Sequence, residues 1–66
     1  MAGVDYGLEL ACSYGEGRYL GYVAPANHRW VVIVKDLGIT IRKWYVLNRD
    51  SALRFATCLE RNHGDI

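Results

Sequence analysis

Sixty-six residues, 52% hydrophobic and 23% charged with a net charge of +1, describe one small folded domain and exclude a disordered or collagen-like chain. No apolar run approaches the roughly 20 residues of a membrane span. The opening MAGVDYGLEL lacks a basic n-region and carries Asp5 and Glu9, so a cytoplasmic protein with no membrane contact is expected.

Val4, Tyr6, Leu8, Leu10, Cys12 and Tyr14 alternate with Asp5, Gly7, Glu9, Ala11 and Ser13. Period two predicts an amphipathic strand over 4–14. Tyr14-Gly15-Glu16-Gly17 is a turn, and a second strand follows over 18–24. Pro25 cannot donate to a ladder, so the break is placed at 25–28. Trp30, Val31, Val32, Ile33 and Val34 are consecutive apolar residues, which predicts a central strand over 29–35, buried on both faces. After Asp36-Leu37-Gly38 a fourth strand runs over 39–47. A bulge near Arg42-Lys43 would gather Ile39, Ile41, Trp44 and Val46 on one side.

The period then changes. Ala52, Phe55, Ala56 and Leu59 lie at i, i+3, i+4 and i+7, which predicts a helix over about 50–63. Asn48, Asp50 or Ser51 can cap its start, Asp50 and Arg54 form an i, i+4 pair, and Gly64 ends it. The fold class is α+β: a four-stranded antiparallel meander, ββββα, with one C-terminal helix on one face, in a single domain spanning 1–66.

Few chemistries suit these residues. Cys12, His28, Cys58 and His63 share no metal-ligand spacing, so no metal is expected. Cys58 and His63, at i, i+5, do not face one another on a helix, and Asp5 and Glu9 read as a solvated strand face. No phosphate loop follows Gly15-Glu16-Gly17. The expectation is a non-enzymatic protein with no cofactor. In a reducing compartment Cys12 and Cys58 would be buried free thiols.

The charge is unevenly spread. Residues 1–17 hold Asp5, Glu9 and Glu16 and no cation. Residues 18–61 hold all eight Lys and Arg against Asp36, Asp50 and Glu60, a balance of +5. Aromatic and basic residues concentrate on the last two strands: Arg29, Trp30, Lys35, Arg42, Lys43, Trp44, Tyr45 and Arg49. Arg, Trp and Tyr dominate binding hot spots because they combine area with directed donors. The expected contact face is the outward side of strands three and four, anchored by Arg42, Trp44 and Tyr45. Eight aromatic rings also exceed what one thin core hides, which again points to a partner or a second copy. The first strand is a candidate dimer edge through Tyr6 and Leu8, since it has neither Lys nor Pro to blunt it.

The stretches Tyr19-Leu20-Gly21-Tyr22-Val23, Arg29-Trp30-Val31-Val32-Ile33-Val34-Lys35-Asp36, Trp44-Tyr45-Val46-Leu47 and Asp50-Ser51-Ala52-Leu53-Arg54-Phe55-Ala56 resemble plant ethylene-response-factor DNA-binding domains. They are also similar to phage-integrase arm-binding domains. The resemblance covers about residues 19–61. It implies a sheet face laid in the DNA major groove, with Trp30 and Trp44 at the family's tryptophan positions and Arg29, Lys35 and Arg42 among its basic ones. Leu20 stands where the family has Arg, the helix lacks its acidic-alanine run, and the first strand has no counterpart there. In format alone, a short chain without a catalytic set resembles phage-encoded inhibitors such as anti-CRISPR proteins. The favoured expectation is therefore an inhibitor that masks a surface of a larger protein or nucleoprotein complex. The alternative is a DNA-binding sheet face.

Overall fold

The structure, a computed structural model, describes residues 7–64. Its elements are β1 (Glu9–Tyr14), β2 (Tyr19–Ala26), β3 (Arg29–Asp36), β4 (Ile39–Val46) and α1 (Arg49–Arg61). The strands form one antiparallel sheet in the order β1-β2-β3-β4, and α1 packs on one of its faces. The Cα envelope is 29 × 27 × 15 Å, so its short axis holds one sheet and one helix.

The core is the layer between them. Val23, Val32 and Val34 are fully buried against Ala52, Ala56 and Leu59, with Cys12 closing the β1 side. Alanines at 52 and 56 let the helix backbone come close to the valine pleat. Trp30, Trp44 and Phe55 are half-buried around this centre, and the Trp44 and Phe55 rings meet at 4.8 Å between centroids. Asn48 caps α1, its Oδ1 accepting the Ser51 N–H at 2.9 Å. Arg54 pairs with Asp50 at 3.0 Å, and the Gly64 N–H donates to the Leu59 carbonyl at 2.8 Å beyond the last turn.

Four sequence expectations change. First, β1 begins at Glu9, so Leu8 precedes the strand, while Tyr6 lies outside the described residues. The alternation is also broken. Leu10 pairs with Tyr22 and Cys12 with Gly21, which leaves Ala11 as a bulge. Leu10 therefore stands on the opposite face from Cys12 and is 56% exposed.

Second, β2 continues through Pro25. Ala26 and Arg29 close a two-residue loop and exchange hydrogen bonds, so the next pair, Pro25–Trp30, needs none from the proline nitrogen. That nitrogen faces the β1 side, where pairing reaches only Val23. Third, the β4 bulge is Ile41, because Lys35 pairs with Thr40 and Val34 with Arg42. Ile39 pairs with Asp36 on the same side as Trp44, yet it and Ile41 stay exposed because α1 reaches little of this strand. Fourth, Cys12 and Cys58 are both free thiols, but only Cys12 is buried. Cys58 lies on the outer side of α1, off the 52-56-59 stripe.

Candidate functional site

One helix covers one face of a sheet, and period two sends every second residue to the other face. The register sets out that uncovered face in rows. Leu10, Tyr22, Ile33 and Lys43 lie side by side across the four strands. Ala24, Val31 and Tyr45 form the next row, Leu20, Lys35 and Thr40 the row on the other side, and Arg29 stands at one end. Ala24 and Val31 are buried although they lie outside the core cluster. In the register Val31 lies between Ala24 and Tyr45.

Cations frame this apolar band. Lys35 Nζ lies 5.6 Å from the Tyr22 ring and the Arg29 guanidinium 5.9 Å from the Tyr45 ring, both within cation–π range. Arg29, Lys35 and Lys43 put three positive charges on the face, and among the described residues its rows contain no carboxylate. Asp36 falls on the helix side, where Arg18 grips it through two hydrogen bonds of 2.7 and 3.1 Å.

The residues singled out from sequence therefore divide. Arg29, Lys35, Lys43 and Tyr45 share the uncovered face. Trp30, Arg42 and Trp44 belong to the helix side, where Arg42 lies 5.7 Å over the Trp44 ring. Arg42 and Trp44 thus do not share a face with Tyr45, because they stand two positions apart while Tyr45 directly follows Trp44 in an unbroken stretch of strand. Arg49 lies at the start of α1 and holds Glu9 at 2.9 Å from each carboxylate oxygen. The central face residues Tyr22, Ile33 and Leu10 were not singled out. A signal for one of them was present: a run of five apolar residues beside a single helix must leave Ile33, with Val31, on the side the helix does not cover.

At β4 the face continues into a free edge. α1 packs chiefly over β1, β2 and β3 and meets β4 mainly where Phe55 packs on Trp44. Leu37, Ile39, Ile41, Tyr45 and Leu47, all on β4 or within two residues of it, are exposed. Two shallow depressions of about 310 and 280 Å³ meet at Arg29 and Tyr45, one reaching Asn27 and the other Leu47.

The opposite side carries the perturbed groups. Burial raises the Cys12 thiol pKa above its usual value, and Glu60 adds to the rise. Burial also raises that of Tyr14, whose ring stacks on Tyr19 at 5.2 Å. Tyr14 and Tyr19 line a shallow depression of about 210 Å³ with Ile41, Arg42, His63 and Gly64. Among the described residues no three His, Cys, Asp or Glu side chains form a metal-binding group, and no helix is long and apolar enough to cross a membrane. Comparison with family models, curated proteins and solved structures finds no match to this chain.

Proposed function

We propose that this domain is a non-enzymatic binding protein, an inhibitor or adaptor that lays its uncovered sheet face on a larger protein or nucleoprotein complex and masks the surface beneath. One observation carries the reading: the face has an apolar and aromatic centre at Tyr22, Ile33 and Tyr45, three cations around it, and no carboxylate among the described residues. Exposed patches of this composition mark interaction sites, and their charge selects a negatively charged partner. Affinity capture with the tagged chain tests it. A partner held by the wild type should be lost with Ile33→Asp and with Lys43→Glu, and kept with Arg54→Ala on the far side of the helix. Equal capture by all four proteins would exclude this face.

The three cations also favour a second reading, in which the face binds duplex DNA as the sequence resemblance implies. The tryptophans at the family's positions lie on the helix side here, so the contacts would come from Arg29, Lys35, Lys43 and the tyrosines. Three neutralised phosphates give a slope of about −2.7 in log affinity against log salt. A gel-shift series from low to moderate salt separates the readings, since absence of a shift at tens of micromolar protein removes DNA.

A further inference from the structure

We propose that the free edge of β4 is itself a docking strand, which takes up an extended acidic segment of a protein partner as a fifth strand of the sheet. This rests on the protein-partner reading and adds the manner of engagement. The backbone supplies the first argument. Asp36 and Ile39 close a two-residue loop, so they form a hydrogen-bonded pair, and the alternation then runs along the ladder with Ile41 as the extra residue. Trp44 and Val46 point their N–H and C=O groups inward to β3. Thr40, Lys43 and Tyr45 point theirs outward, to an edge on which no fifth strand pairs among the described residues. These outward groups are a template for strand addition, and the outward side chains beside them decide what sequence fits.

Those side chains are Ile39, Tyr45 and the flanking Leu47, all exposed and apolar, together with Lys43. β4 contains no Asp or Glu. The depressions at Arg29 and Tyr45 give an incoming side chain a seat beside a guanidinium. An occupant of this edge is therefore β-forming, apolar on alternate positions and acidic between them.

A second copy of the chain fits poorly. Only outward-pointing residues meet across such an edge, so the two-fold antiparallel register nearest the midpoint of Ile39–Val46 sets Lys43 against Lys43 of the copy, with no carboxylate on either strand. Like charges directly opposite destabilise a ladder. The same cations that repel a copy attract carboxylates, which is what makes a foreign acidic strand the better occupant.

The test uses the full chain, isotope-labelled, titrated with a capped peptide of about seven alternating Val and Glu residues, a length close to that of an ordinary strand. The amides of Thr40, Lys43 and Tyr45 should shift and gain protection from hydrogen exchange, and a Val-Lys peptide should produce neither change. Tyr45→Ala should weaken binding and Tyr45→Pro should abolish it, because both lose the ring while only proline removes the outward donor. Lys43→Glu, which leaves the ladder intact, should reverse the preference between the two peptides. Equal binding by the Ala and Pro variants, or no response along β4, overturns the proposal. If the peptide is ignored while Ile33→Asp still destroys partner capture, strand addition falls and the face reading survives. If the chain retards duplex DNA and ignores the peptide, both fall.

Discussion

The two edges of this sheet are built to opposite specifications. At β1 the strand is six residues long and bulged at Ala11. It is fastened to α1 by Arg49 on Glu9 and by the Glu60 carboxylate, which accepts the Ser13 N–H at 3.4 Å. At β4 the strand is eight residues long, met by the helix mainly at Trp44, and flanked by exposed leucines. Short strands, bulges and covering helices are the means by which natural sheets close their edges. β1 has all three, whereas β4 has only its bulge and two cations. A helix too small to cover four strands must leave one side open, and here it sits over β1, β2 and β3. The apolar side chains that it does not cover collect at β4, which places the candidate contact surface at the open edge rather than at β1.

The sharpest way to break the comparison is to remove what seals the β1 side. Leu59 is fully buried between α1 and the sheet. Leu59→Ala should cost about 2–5 kcal/mol. In a domain this small that is most of the stability, so chemical denaturation should show the variant largely unfolded at room temperature. A cost near zero would mean that α1 is not what holds the sheet.

Next comes Gly21, which lies across from Cys12 in the β1–β2 ladder. A Cβ placed there would sit 2.4 Å from the Cys12 Sγ. Gly21→Ala should cost about 1–3 kcal/mol through overpacking. Adding Cys12→Ala removes the atom in the way, so the double variant should recover much of that loss. Urea titrations of the four proteins measure the coupling. Additive losses would show that Gly21 is needed for another reason.

A smaller effect follows from pH. Cys12 has its thiol pKa raised by burial, so the folded state holds that proton more tightly than the unfolded state does. The contribution is fully present below the unfolded value near 9.0 and is lost as pH rises through the folded value. Stability should therefore fall above about pH 9, and Cys12→Ala should flatten the fall. Tyr14, also raised by burial, acts in the same direction at higher pH. In a thiol-labelling assay the exposed Cys58 should react at once and Cys12 only with unfolding. Equal labelling rates would show that the β1 side of the core opens readily in the folded protein.

The comparison was only partly visible in the sequence. The change from period two to the helical stripe at Ala52, Phe55, Ala56 and Leu59 fixes the meander-plus-helix architecture, because both periods follow from local geometry. The division of the basic-aromatic cluster follows from plain alternation, since Trp44 and Tyr45 are neighbours and Arg42 stands two before Trp44. The place of Leu10 did not show, because one extra residue at Ala11 turns it away from the core. A bulge answers to the partner strand and to the helix above it, and a single strand's pattern does not reveal its position. Pro25 misled for a similar reason. Its cost depends on which neighbour its nitrogen faces, and that is a property of the hairpin register.

The last prediction concerns the turn that leads into the open edge. Leu37 and Gly38 form a two-residue loop between Asp36 and Ile39, with φ of +52 and +89. Such loops favour Asn-Gly, since both central positions take left-handed values and a branched apolar side chain gains nothing by doing so. Leu37 is 76% exposed and its side chain buries little against its own domain. Its N–H donates to the Arg18 carbonyl at 3.2 Å, a bond that any residue other than proline retains. Leu37→Asn should therefore stabilise the chain by about 0.5 kcal/mol, read as a rise of about 2–4 °C in Tm. A fall in Tm would mean that Leu37 packs within the domain despite its exposure. The partner assay gives the complementary reading. If the leucine is kept for contact, Leu37→Asn should stabilise the domain and weaken partner capture at once, whereas Leu59→Ala weakens capture only by unfolding the protein. A variant that gains stability while losing capture would show that the open edge serves binding at a small cost in folding.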